Sequence, residues 1–201
     1  MDSTLILASA SPRRRELLTQ AGYRFAVQPS SIPEFLRPGE DAIRFATRLA
    51  REKAEEVFAR QPSSTRPVMV LGADTVVVCQ TEVMGKPADA ADAARMLLLL
   101  SGGTHQVVTG VAVVWGSGSA EVAAEVTQVT MRTLSPQEVA AYVATGEPMD
   151  KAGAYAIQGY AGRWIPRIHG CYFNVVGLPL ALVTSLLEGA EQRLANRPAP
   201  G

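Results

Sequence analysis

The sequence predicts an α/β fold: a mixed twisted sheet with flanking helices, in two lobes around a cleft. Short β-type apolar runs alternate with helical stretches through the first half of the chain. Two β-rich runs, THQVVTGVAVVW and AAEVTQVTMRT, are then joined through GSGS, which reads as a long hairpin. The chain closes on a helical stretch from about residue 180 to 195. Alternation favours parallel strands and the hairpin adds antiparallel ones, hence a mixed sheet.

Residues 5–8 read as a buried strand and residues 12–21 as a helix, with Ser11 as N-cap and Pro12 in the first helical position. A second strand is expected over 24–28, followed by a loop, SSIPEFLRPGE, with two prolines and a glycine. Residues 41–60 form a long helix with Ala46, Leu49, Ala50, Ala54 and Val57 on one stripe. PVMVLGADTVVVC reads as two strands interrupted at the glycine, then a turn, GKP, and a helix over 88–100. After the hairpin, Ser135 and Pro136 open a helix to about 145, and a short strand is expected over 164–168. Together these predict one domain over 1–195, with 196–201 (NRPAPG) as a disordered tail.

Composition excludes several classes. Nineteen basic residues balance nineteen acidic ones, so no polyelectrolyte field attracts nucleic acid. The longest apolar runs, such as MLLLL, fall far short of a membrane span, and no basic segment precedes a long apolar run at the N-terminus. The expected location is therefore cytoplasmic, with Cys79 and Cys171 reduced. Two histidines far apart, His105 and His169, argue against a zinc site. All but three of the basic residues are arginine, which singles out Lys53, Lys86 and Lys151 as places where a compact ammonium is retained.

The stretch LILASASPRRRELL sets Arg13, Arg14 and Arg15 in a first helical turn, where exposed N–H groups favour anions and cations have the wrong sign. Arg15 points away from the apolar face set by Leu17, Leu18 and Ala21, and solvation explains it. Arg14 falls on that face and Arg13 at its edge, so Arg14 needs a carboxylate or a bound anion. The nearby hydroxyls of Ser9 and Ser11 and the free N–H groups favour phosphate. Lys53 lies in the apolar stripe of its helix, as a snorkelling side chain or one reaching into a ligand cleft. Asp74 interrupts an apolar β segment, as a turn former, a metal ligand or a base. Lys86 sits between Gly85 and Pro87, in a fixed backbone position. Glu34 and Glu40 could add oxygen ligands from their loop, although loop acids are commonly just solvated. EPMDKAGAYAIQGYAG, with Asp150, Lys151 and Gln158, reads as an ordered glycine-rich loop.

Taken together, LILASASPRRRELL, LAREKA, LGADTVV, GKP, MLLLLSGGTHQVVTG, DKAGAYAIQGYAG and GCYFNVVGLPL resemble the Maf family of nucleoside triphosphate pyrophosphatases over nearly the whole chain. GADT and IQG are similar to the dTTP/UTP branch; the 7-methyl-GTP branch is expected to carry GSDQ and SEG instead. The resemblance implies a fold akin to inosine triphosphate pyrophosphatase and hydrolysis between the α and β phosphates with Mg²⁺ or Mn²⁺. It implies Asp74 as proton acceptor, Lys53 and Lys86 as catalytic partners, and Glu34 with Asp74 as metal ligands. Ser9, Arg13, Arg14, Thr75 and Gln158 become substrate-binding positions, and a homodimer is implied. Two alternatives remain: a pyrophosphatase for 7-methyl-GTP or another modified nucleotide, and a nucleotide-binding regulator of cell division without turnover.

Overall fold

A computed structural model describes residues 3–62 and 67–196. Within them lies a seven-stranded sheet in the order β2-β1-β3-β5-β6-β7, with β4 on β3. β1 (Thr4–Leu7) runs parallel to β2 (Phe25–Val27) and to β3 (Val68–Cys79). β3 pairs antiparallel with β4 (Glu82–Met84), and β6 (Ser119–Thr130) with β7 (Arg167–His169). β5 spans Thr104–Trp115. The sheet is therefore mixed, as the alternation followed by a hairpin predicts.

The chain divides into two compact units, one over Met1–Asp74, Thr109–Ala124 and Gly177–Gly201, the other over Thr75–Val108 and Glu125–Val176. In the first unit, α1 (Pro12–Gln20) buries Leu17 and Leu18, each contributing about 1.5–3 kcal/mol. Ser11 caps α1 by accepting from the Arg14 N–H, and Pro12 opens it. Ala21 is exposed at the C-cap instead of on the apolar face, because the helix ends there and its N–H turns back to Leu17 O and Thr19 O. α2 (Ala42–Ala59) starts at Asp41, whose side chain accepts from Arg44 N–H. It lays Ala50, Ala54 and Val57 on Ile6, Val70 and Ala112 of the strands. α6 (Leu180–Ala195) buries Val183, Leu186, Leu187 and Ala190.

In the second unit, α3 (Ala90–Leu100) and α4 (Pro136–Val143) pack Met96, Leu97, Val139 and Tyr142 around Trp164. α4 carries a full capping box between Ser135 and Glu138. Residues 147–164 hold three short 3-10 turns, so the expected ordered loop is compact. The short strand lies at Arg167–His169 instead of 164–168, since residues through Trp164 are still in the last 3-10 turn. α5 (Tyr172–Val176) has no counterpart in the predicted elements. It places Asn174, whose Nδ2 donates to Val107 O and Thr127 Oγ1, both at 3.0 Å. Of the predicted tail, Asn196 is the C-cap of α6, and 197–201 lie outside the described residues.

His105 is buried on β5 with Nε2 2.7 Å from the Tyr155 hydroxyl. Burial disfavours the imidazolium and holds His105 down at about 4. Unfolded chains bind a proton there near pH 6.5 while the folded chain does not. Its contribution is thus complete above about 6.5 and is lost as pH falls towards 4. Denaturant unfolding should show a loss on the order of 3 kcal/mol across that window. His105→Gln should flatten the upper part of the slope, above the range where ordinary carboxylates titrate.

Candidate active site

The site in the first unit begins with an unusually close helix–strand contact. β3 is one continuous strand through Gly72, not two strands broken at the glycine. A Cβ on Gly72 would lie 2.1 Å from the Ala50 carbonyl oxygen and 3.0 Å from the Ala54 nitrogen. Gly110 on β5 does the same against Ala46, at 2.3 Å from its carbonyl. The glycines therefore serve approach, not interruption: they seat the Ala46–Ala50–Ala54 edge of α2 against the sheet. Asp74 follows Gly72 by two residues and so shares its face of the strand. Lys53 follows Ala50 by three and so lies one helical turn along α2. The two side chains meet, Lys53 Nζ donating to Asp74 Oδ1 at 2.6 Å. Lys53 is 7% and Asp74 6% exposed. Asp74 is thus a mid-strand carboxylate, neither a turn former nor at a strand end.

Burial pushes the Asp74 carboxyl up, while Lys53 and then Arg14 draw it back and Glu34 adds to the rise. Glu34 Oε1 reaches the same Lys53 ammonium from a half-exposed position. Two carboxylates thus converge on one ammonium.

Arg14 is a clamp on the backbone around this pair. Its Nε donates to Gly177 O at 2.8 Å, and Nη1 to Ala73 O at 2.8 Å and Ser9 Oγ at 3.1 Å. Burial lowers its affinity for the proton, and Asp74 and Glu34 oppose that. Ser9 is buried and also accepts from Ser11 N–H. The need for a partner on the apolar face of α1 is met here by carbonyls and a hydroxyl. Arg13 is half-buried, and its charge further lowers Arg14, which places the two cations close together. Arg15 is exposed.

Glu40 serves as a brace. It accepts from Arg48 Nε at 2.6 Å and Nη2 at 2.7 Å, and from Arg37 N–H at 3.1 Å, which holds its carboxyl down at about 2. Arg48 also donates to Phe35 O at 3.0 Å and pairs with Glu52. Arg48 thereby ties the loop bearing Glu34 to α2. In the sequence, only its i,i+4 spacing from Glu52 signals Arg48.

The remaining predicted residues belong to the second unit. Thr75 follows Asp74 on the opposite face of β3 and is half-buried. Lys86 is exposed after β4, and Gln158 is exposed in the loop between the second and third 3-10 turns. Among the described residues no group of three or more His, Cys, Asp or Glu is gathered as for a metal ion. Asp74 and Glu34, both paired with Lys53, offer two carboxylates, a set that suits a hard cation taking one or two carboxylates with the rest from phosphate and water. No helix among the described residues is long and apolar enough to cross a membrane.

The profile of the Maf-like protein family matches residues 4–190. The chain is 53% identical over 186 residues to a dTTP/UTP pyrophosphatase of Koribacter versatilis, covering 92% of this chain and 94% of that protein. With the dTTP/UTP pyrophosphatase of Geobacter sulfurreducens identity is 55% over 185 residues, covering 92% and 95%. With that of Salmonella typhimurium it is 52% over 186 residues, covering 92% of each. A solved nucleoside-triphosphatase / dITP/XTP pyrophosphatase from Mycobacterium abscessus aligns over 97% of this chain at TM-score 0.41 and 14% identity, too distant to bear on the site. With the family profile matched across both units and half the residues shared with relatives covered over more than nine-tenths of their length, this chain belongs to the Maf family.

Proposed function

We propose that this chain hydrolyses dTTP and UTP to the monophosphate and pyrophosphate. The observation that carries the reading is the buried Asp74–Lys53 pair with Glu34 converging on it, in a chain half identical to three dTTP/UTP pyrophosphatases. Lys53 occupies Asp74 Oδ1, and Oδ2 takes a proton from water as its oxygen attacks the α-phosphorus. The bond from the α-phosphorus to the bridging oxygen breaks, and pyrophosphate leaves with that bond's electron pair. Arg13, Lys53 and Lys86 oppose the charge that builds on the leaving group, Ser9 donates its hydroxyl to phosphate, and Arg14 holds the strand carbonyl beside Asp74. A divalent cation, Mg²⁺ or Mn²⁺, held by Asp74 and Glu34 with phosphate oxygens would supply further neutralisation of the triphosphate.

In the same reading Gln158 meets the N3–H and O4 edge of uracil or thymine with one acceptor and one donor, and Thr75 is a second residue of substrate choice. Residues 1–195 work as one domain, in a homodimer, in the cytoplasm and away from nucleic acid and membranes. Balanced charge supports the exclusion of nucleic acid. Incubation with dTTP and Mg²⁺, followed by phosphorus NMR, should give dTMP and pyrophosphate. The appearance of dTDP and orthophosphate would overturn the bond assignment, and a panel including CTP and 7-methyl-GTP checks the base. Light scattering checks the dimer.

A further inference from the structure

Gln158 sits in a turn whose two ends are held by one side-chain network of the second unit. Gly159 N–H returns to Ala156 O at 3.1 Å, closing a turn over residues 156–159 with Gln158 in its third position. On one side, Ala156 N–H donates to the Tyr142 hydroxyl at 3.3 Å. On the other, Tyr160 N–H donates to Glu147 at 3.2 Å to Oε1 and 3.4 Å to Oε2. The Tyr142 hydroxyl joins the two by donating to Glu147 Oε1 at 2.8 Å.

The brace is itself anchored. Tyr142 is 1% exposed, and its ring stacks on Tyr160 at 5.7 Å and meets Trp164 edge-on at 5.1 Å. Burial, then the neighbouring carboxylate, push the Tyr142 phenol up, so it stays a donor at neutral pH. Lys151 Nζ donates to Glu147 O at 2.7 Å, fixing the backbone under the carboxylate. The carboxylate lies so close beneath the turn that a Cβ on Gly159 would fall 2.1 Å from Oε1. Glycine beside Gln158 thus lets the turn rest on the Glu147 carboxylate without displacing it.

We propose that Tyr142 and Glu147 are specificity-positioning residues: they fix the 156–159 turn so that the Gln158 amide is presented to the pyrimidine edge from one place. This rests on the reading of Gln158 as the base-contacting residue. A hydrogen-bonding side chain discriminates only while its position is held, since slack in its support lets donor and acceptor follow a wrong base. The brace should then affect recognition of the base and leave the chemistry at the α-phosphate alone.

Steady-state kinetics with dTTP and with the base-free deoxyribose triphosphate separate the two. Glu147→Ala should raise KM for dTTP about tenfold with kcat within about twofold, the loss expected of a hydrogen bond no longer held in place. Turnover of the base-free triphosphate should equal that of the unaltered protein. Glu147→Gln, whose carboxamide oxygen still accepts, should restore most of the loss. Should Glu147→Ala fail to fold, Tyr142→Phe keeps the ring, removes only the hydroxyl and carries the same comparison. A fall in kcat on both substrates together, or an unchanged KM for dTTP, overturns the positioning role. Gln158→Ala is measured alongside: if it leaves KM for dTTP unchanged, the base-contact reading fails first and the brace falls with it. If it raises KM while the brace variants do not, only the brace is wrong.

Discussion

Asp74→Asn should lower dTTP turnover by about 10²–10⁴-fold, the range lost when a positioned general base is removed. The substitution keeps shape and leaves an amide oxygen to accept from Lys53, so the contact at Oδ1 survives in form. What goes is the charge and the site for the water's proton. Removing one partner of a buried ion pair commonly costs about 3–5 kcal/mol. Here the cost should be smaller, because Glu34 still faces the Lys53 ammonium and a buried anion has been eliminated. A cooperative thermal transition with product formation near background is the expected pair of results. A folded variant with unaltered turnover would exclude Asp74 as the base.

The pH profile provides a second view of the same residue. A base works deprotonated, and burial pushes Asp74 up from 3.8 against the pull of Lys53 and Arg14. The acid limb of kcat/KM should therefore fall above the ordinary aspartate range, with activity lost as pH drops through it. Weakening the pull, as in Lys53→Met, should move the limb further up.

Gly72→Ala should be the most damaging change to the scaffold of the site. Its Cβ would meet a backbone carbonyl at 2.1 Å, and a backbone atom in the middle of α2 cannot swing aside as a side-chain tip can. Overpacking of this kind costs about 1–3 kcal/mol, or roughly 2–12 °C in melting temperature for a chain of this size. The strain is relieved only by moving α2 off β3, and Lys53 rides on α2. A shift on the order of 1 Å should therefore also reduce kcat about 10²-fold. Gly103→Ala is the control: its nearest neighbour would be Leu100 O at 3.8 Å, an ordinary contact, and stability should hardly change. If Gly72→Ala melts like the control, the close approach is not what sets the Lys53–Asp74 geometry.

Much of the site was legible because each residue broke a local rule. Lys53 stood in an apolar stripe, Asp74 in an apolar strand and Arg14 on the wrong face of a helix of the wrong sign. Such violations need a partner, and the structure brings Ser9, Arg14, Glu34, Lys53 and Asp74 into one cluster. The partners themselves were less legible. Arg14 was read as awaiting an anion, yet the folded chain supplies it with Ala73 O and Gly177 O, the latter 163 residues away along the sequence. Glu40, a ligand candidate by its chemistry, turned out to brace its loop on Arg48.

The same division holds for the backbone. Periodicity and caps alone determined α1, α2, α4 and α6 to within a residue or two, because amphipathic stripes and N-cap chemistry are local. Gly72 was misread as a break because a glycine's local meaning is flexibility. Its role is set by a helix packed across it, and no window of sequence around residue 72 contains that helix. Likewise α5 and the Tyr142–Glu147 brace come from contacts between distant or irregular segments. By itself the sequence determined which residues carry charge where charge is costly. Only the tertiary structure decided what meets that charge, because burial and close approach are properties of the packed chain.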